Sequence, residues 1–115
     1  MALSEFETKR IERLANEWVS RKRPPAHIRD QLDIGYRISG QSLTLFEIRP
    51  LSNDPKKTIE EPIAKTPYVK KTKLWKIYWQ RADLNWHSYD AAPEVDSLEV
   101  FFEEVERDEW ACFYG

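Results

Sequence analysis

The chain opens on a helical repeat. Ile11, Leu14, Ala15, Trp18 and Val19 recur at spacings of three and four, and Lys9, Arg10, Glu12, Arg13 and Glu17 fill the positions between them. Ser4 followed by Glu7 is a capping-box pair, a signature of a helix start. Pro24-Pro25 ends the helix after Arg21-Lys22-Arg23, because proline has no N–H to continue the ladder. Ala26 to Asp30 reads as an irregular or single-turn connector.

The period then changes to two. Leu32, Ile34, Tyr36 and Ile38 alternate with Asp33, Gly35 and Arg37, and Ser39-Gly40-Gln41-Ser42 supplies a turn. The return strand runs from Leu43 to Arg49. A two-residue Gly40-Gln41 turn pairs Ile38 with Leu43, Tyr36 with Leu45 and Ile34 with Glu47. One face of this hairpin is then mostly apolar. The other carries Phe46 and Ile48 beside Asp33, Arg37 and Thr44, which suggests a place well inside the sheet, partly covered on each side.

Pro50 to Pro62 reads as a loop, with Asn53-Asp54-Pro55 as a turn signal among charged residues. Ile63 to Val69 is a third strand, and Pro67 within it argues for an edge, since it cannot donate to a ladder. Leu74 to Arg81 is the strongest strand, with Trp75, Ile77 and Trp79 on one face. Ala82 to Asn85 leads to a last strand, Trp86 to Tyr89. A second helix follows Pro93, with Asp96 and Glu99 as its capping pair and Leu98, Phe101, Phe102 and Val105 as its buried stripe; Glu103, Glu104 and Glu106 are left to water. Trp110 to Gly115 is too aromatic for a solvated tail and is expected to pack back on the body. The order predicts a single α+β domain over 1–115. It is an antiparallel meander of about five strands, with an N-terminal and a C-terminal helix packed on the Trp75/Ile77/Trp79 face.

Composition agrees with a small globular domain: 41% hydrophobic residues, 33% charged, and five each of Trp, Tyr and Phe in 115 residues. There is no signal-peptide stretch and no apolar run of membrane-spanning length, so no membrane association is expected. Cys112, the only cysteine, has no partner for an intrachain disulfide and cannot alone hold a structural zinc. The expected compartment is the cytoplasm. Charge is unevenly distributed. Residues 1–90 carry 17 Lys/Arg against 12 Asp/Glu, whereas residues 91–115 carry one base, Arg107, against eight acids. The plain explanation is an acidic helix docked beside a basic body and neutralising it; the other is a basic body that faces an anionic partner.

Three groups of residues could carry chemistry. On the sheet face opposite the tryptophans, the alternation places Lys65, Lys76, Tyr78, Gln80, His87 and Tyr89, with Arg21-Lys22-Arg23 and Lys70-Lys71-Lys73 at the margins. Cations among aromatic rings suit nucleic acid, because lysine neutralises phosphate while rings stack on bases; a merely solvated sheet face carries the same residue types. His27, Arg29, Asp30, Asp83 and His87 could form an acid/base pair, with His27, Asp30 and His87 as the catalytic candidates, although no spacing matches a metal site. Asp33 with Glu47-Ile48-Arg49 faintly resembles a nuclease strand motif, yet the hairpin sets Asp33 and Glu47 on opposite faces. Arg23-Pro24-Pro25 could be a polyproline ligand, but reads better as a rigid linker. With glycine only at 35, 40 and 115, no phosphate-cradling loop is available and no cofactor is expected.

Several segments occur in a recognisable order: Arg21-Lys22-Arg23-Pro24-Pro25, His27-Ile28-Arg29-Asp30, Gly40-Gln41-Ser42, Glu47-Ile48-Arg49-Pro50, Trp75 with Tyr78-Trp79, Arg81-Ala82-Asp83-Leu84, Trp86-His87-Ser88-Tyr89 and Asp96-Ser97-Leu98-Glu99. Together they resemble a bacterial family of about this length, catalogued as domain-of-unknown-function family 3024. The resemblance implies a bacterial, cytosolic, single-domain protein and carries no functional residues. The leading expectation is therefore a non-enzymatic binding module for nucleic acid or another polyanion. The alternatives are a protein-interaction or regulatory adaptor, using the Pro50–Pro62 loop or the aromatic C-terminus, and a small hydrolase or nuclease built on His27, Asp30 and His87.

Overall fold

A computed structural model of the chain describes residues 3–108. Helix α1 spans Glu5–Lys22 and starts as the sequence requires: the Glu7 amide donates to the Ser4 hydroxyl, and the Ser4 amide donates to the Glu7 carboxylate at 2.9 Å. A 3-10 turn, Ala26–Ile28, follows the proline pair. Strands β1 (Asp33–Ser39) and β2 (Ser42–Leu51) form the expected hairpin, with Ile38 opposite Leu43, Tyr36 opposite Leu45 and Ile34 opposite Glu47. Gly40 takes a positive φ of 59° at the turn, a conformation glycine adopts at little cost.

The expected loop from Pro50 to Pro62 is instead strand. Strand β3 runs from Asp54 to Val69, and with the end of β2 it makes a two-stranded arm closed by a Ser52-Asn53 turn. The ladder tolerates the prolines because of where their missing amides point. The Tyr68 amide donates to the Gln41 carbonyl, so alternate β3 residues face β2. A bulge at Ile63 between the Leu45–Ala64 and Phe46–Pro62 pairs then shifts the phase and turns Pro62 outward. An outward-facing proline costs no ladder bond.

Pro67 is not at an edge either. Beyond β3 lie β4 (Leu74–Lys76) and β5 (Tyr78–Gln80), in a single register that puts Lys65 opposite Tyr78 and Tyr68 opposite Trp75. That register sets Pro67 opposite Lys76, where a ladder amide is wanted and absent. The buried Thr66 hydroxyl takes its place, donating to the Lys76 carbonyl at 2.6 Å. The strand is interrupted there, at Ile77, which bonds outward instead: its amide donates to Pro93 O, and its carbonyl accepts from the Tyr89 amide. Strands β6 (Trp86–Ser88) and β7 (Glu94–Val95) flank β5 and β4, so the seven strands among the described residues trace a meander of five rows, with β1 on one edge. The β1–β2 hairpin is thus at the rim of the sheet. Its second face is closed by its own residues: the Phe46 ring lies across Gly35, where an added Cβ would come within 3.0 Å of it, under the Arg37 guanidinium at 5.0 Å.

Both helices pack on one face. Helix α2 spans Leu98–Arg107 and is capped by Ser97, one residue later than expected. Trp18 of α1 stacks on Phe102 of α2 at 5.7 Å, and Ile11, Ala15, Phe101 and Val105 complete the layer over Leu43, Leu45, Ala64, Ile77 and Tyr89. Glu104 is buried beside Arg107 rather than facing water. Trp110 to Gly115, expected to pack on the body, lie outside the described residues. Among the described residues no helix is long and apolar enough to cross a membrane.

The end of α1 is tied to β1 by a two-pronged ion pair, Arg23 donating to both Asp33 oxygens at 2.8 and 2.9 Å. The Arg23 hydrogen bonds hold the Asp33 carboxyl below the ordinary carboxylate range, so the pair stabilises the fold above that range, and this stability is lost as pH falls from there through the lowered value. The stability gap between the wild type and Asp33→Asn, read as urea midpoints, should be open at about pH 7 and close in acid; a gap constant with pH would show that the pair is not its source. Thr66→Val keeps the shape but removes the hydroxyl, and should cost about 1–3 kcal/mol in urea unfolding. Adding Pro67→Ala restores an amide opposite Lys76 and should recover part of that loss. Unchanged stability in Thr66→Val would show that the hydroxyl does not replace the missing amide.

Candidate functional site

Cross-strand neighbours share a face, so the register fixes which side chains look away from the helices. One row reads Arg37, Thr44, Lys65, Tyr78, Ser88, and the next reads Ser39, Ser42, Pro67, Lys76, Glu94. Gln80 pairs with Trp86 on the same face. Lys65, Lys76, Tyr78 and Gln80 therefore lie together as the sequence suggested, all half-buried, on the side that neither helix covers.

Two candidates lie elsewhere. His87 pairs with Trp79, and Tyr89 is fully buried in the core beneath the helices, so both belong to the opposite face. The cause is the connection after β5. The Arg81 amide donates to the Asn85 carbonyl and closes the turn on the Gln80–Trp86 pair, which sets β6 one residue out of the expected phase. The same shift brings forward a residue that the alternation along the chain does not mark. Trp86 occupies the open face, with Lys65 Nζ 5.8 Å from its ring centre. Counting outward from the Gln80–Trp86 pair would have found it.

The marginal cations are mostly spent. Arg21 and Lys22 reach Glu106 of α2 at 3.5 and 3.8 Å, on the helix side, and Arg23 is held by Asp33. Lys70 lies 4.0 Å from Glu7, while Lys71 and Lys73 sit on the exposed turn between β3 and β4. Arg10 forks Glu99. The acidic helix therefore neutralises the helix side and does not lie over Lys65 and Lys76. Among the described residues three carboxylates share the phase of the open face: Asp33, held by Arg23, Glu60, paired with Arg37, and Glu94, opposite Lys76.

The acid/base candidates do not meet. His27 and Asp30 are exposed beside the start of β1, and His87 is in β6 on the other edge, four strand spacings or about 19 Å across the sheet. His87 Nε2 instead contacts its neighbour Asp83 at 2.9 Å. The Asn85 amide, and then His87, hold the Asp83 carboxyl below its usual value, which makes it the anchor of a turn. Asp33 and Glu47 lie on opposite faces, as the hairpin required, and Glu47 pairs with Arg49 at 3.2 Å. Among the described residues no three His, Cys, Asp or Glu side chains cluster as a metal site.

The chain matches, over residues 3–115, the family described as Domain of unknown function (DUF3024), and it belongs to that family. No curated protein and no solved structure is detectably similar to it.

Proposed function

We propose that this member of the DUF3024 family is a non-enzymatic binding module that takes nucleic acid or another polyanion on the helix-free face of its sheet. The observation that carries this reading is the union, on the face that neither helix covers, of Lys65 and Lys76 with the rings of Tyr78 and Trp86. Lysines at this spacing can neutralise successive phosphates, and half-exposed rings between them can stack on bases of any sequence. Glu99 and Glu106 of α2 are engaged on the other side by Arg10, Arg21 and Lys22, so these two carboxylates leave the open-face lysines to an external anion. The natural setting for this reading is the bacterial cytoplasm, in keeping with a single cysteine and no disulfide framework.

Filter binding of a single-stranded oligonucleotide across about 50–200 mM salt tests it. Affinity should fall with salt, and each lysine removed by Lys65→Gln or Lys76→Gln should reduce the log–log slope by about 0.7. Trp86→Ala should cost about 1–3 kcal/mol if the ring stacks on a base. Absence of binding at the lowest salt, or affinity indifferent to both lysines, would sink the proposal.

A further inference from the structure

The β2–β3 arm leaves one strand edge bare. Strand β3 is covered by β5 and β4 only from Lys65 onward, so among the described residues its stretch from Asp54 to Pro62 has β2 on one side and no strand on the other. Residues 56–62 are all exposed. A bare edge is a template for another strand, and proteins normally blunt it with prolines, bulges or charges of one sign. Here the first two devices bracket the edge and do not cross it. Pro62 closes one end, since it faces outward and has no amide to give. At the other end the register jumps from Pro50–Thr58 to Leu51–Asp54, and the Lys56 amide is taken by the Asp54 carboxylate at 3.2 Å. Between these limits the outward-facing residues with free amides are Thr58 and Glu60.

The charges between the same limits are arranged symmetrically. Lys57, Ile59 and Glu61 share one face of the strand, and Ile59 is one of the few large apolar residues left exposed among those described, at 37%. An antiparallel copy of the strand that pairs Thr58 with Glu60 has its twofold axis on Ile59. It therefore sets Ile59 against Ile59 and Lys57 against Glu61 on both sides. That is the one register that uses both free amides, buries the exposed isoleucine against itself and opposes unlike charges directly across the ladder, where like charges repel. Lys57 has no side-chain partner among the described residues, and Glu61 is held only loosely by Arg49, at 3.6 Å.

We infer that the edge of β3 from Lys57 to Glu61 is a self-complementary pairing surface whose partner is a second copy of this chain. The dimer forms by antiparallel edge-to-edge addition about Ile59, with four main-chain hydrogen bonds between Thr58 and Glu60 and their counterparts. A strand pair this short buries less than the roughly 1,200 Å² of a stable interface, so the dimer exchanges with monomer on the order of 100 μM. Its twofold axis stands normal to the sheet, and both helix-free faces then look the same way. The inference does not depend on what those faces bind.

Sedimentation equilibrium of the full chain from about 10 μM to about 1 mM, in low salt, reads the outcome. The mean mass should climb from the 13.7 kDa of one chain towards twice that value. Lys57→Glu and Glu61→Lys should each remain monomeric at the concentration where the wild type is half dimer, with unchanged circular dichroism. An equimolar mixture of the two variants should recover the dimer, because each then supplies the charge the other lacks, and so should the double variant Lys57→Glu/Glu61→Lys. A wild type that stays monomeric to about 1 mM overturns the inference, as does a dimer that both single reversals leave intact.

Discussion

Trp18 is fully buried and stacks on Phe102, which joins the first helix of the chain to the last across one side of the sheet. Each helix has a single apolar stripe and must bury it. Once the two stripes meet over Leu43, Leu45 and Ile77, no helical layer remains among the described residues for the other face. The bare face, its cations and its rings are thus a by-product of how the core is closed. Burial of the large rings supplies the driving force, since a Trp or Phe in a core of this kind is worth about 3–5 kcal/mol against alanine.

The charge asymmetry follows from the same packing. The acidic side chains of α2 meet arginine and lysine of α1 at the helix–helix seam, in exposed pairs that each contribute at most about 1 kcal/mol. Their larger effect is on the field. Glu99 and Glu106 are neutralised at the seam, away from Lys65 and Lys76, whose own face carries Glu60 and Glu94 among its cations. A net charge of −2 therefore hides a basic body and an acidic C-terminal segment that meet at this seam.

Much of this was legible in the sequence, wherever a local rule was sufficient. The capping box at Ser4, the Gly40 turn and the register of the first hairpin all depend on residues within a few positions of one another, and each stands as read. What escaped depends on partners far along the chain. Prolines at 55, 62 and 67 read as loop and edge because propensity assumes that a missing amide is always a loss. The bulge at Ile63 decides that Pro62 faces outward, and the Thr66 hydroxyl decides that Pro67 can stay inside. The phase of β6 likewise hangs on the Arg81–Asn85 turn, and one residue of slip exchanged His87 and Tyr89 for Trp86 on the open face.

The pairing of first helix with last also has a consequence in time. On the ribosome, α1 emerges well before α2, with the whole meander between them. At roughly 5–20 residues per second, Trp18 waits several seconds for Phe102. Through that interval its indole has only a growing sheet to lie against. The hairpins can close as they appear, because their contacts are local, while the core stays open on one flank until α2 has emerged as well. The nascent chain spends that time as an unsealed half-sandwich, the state in which a chaperone or a protease would meet it.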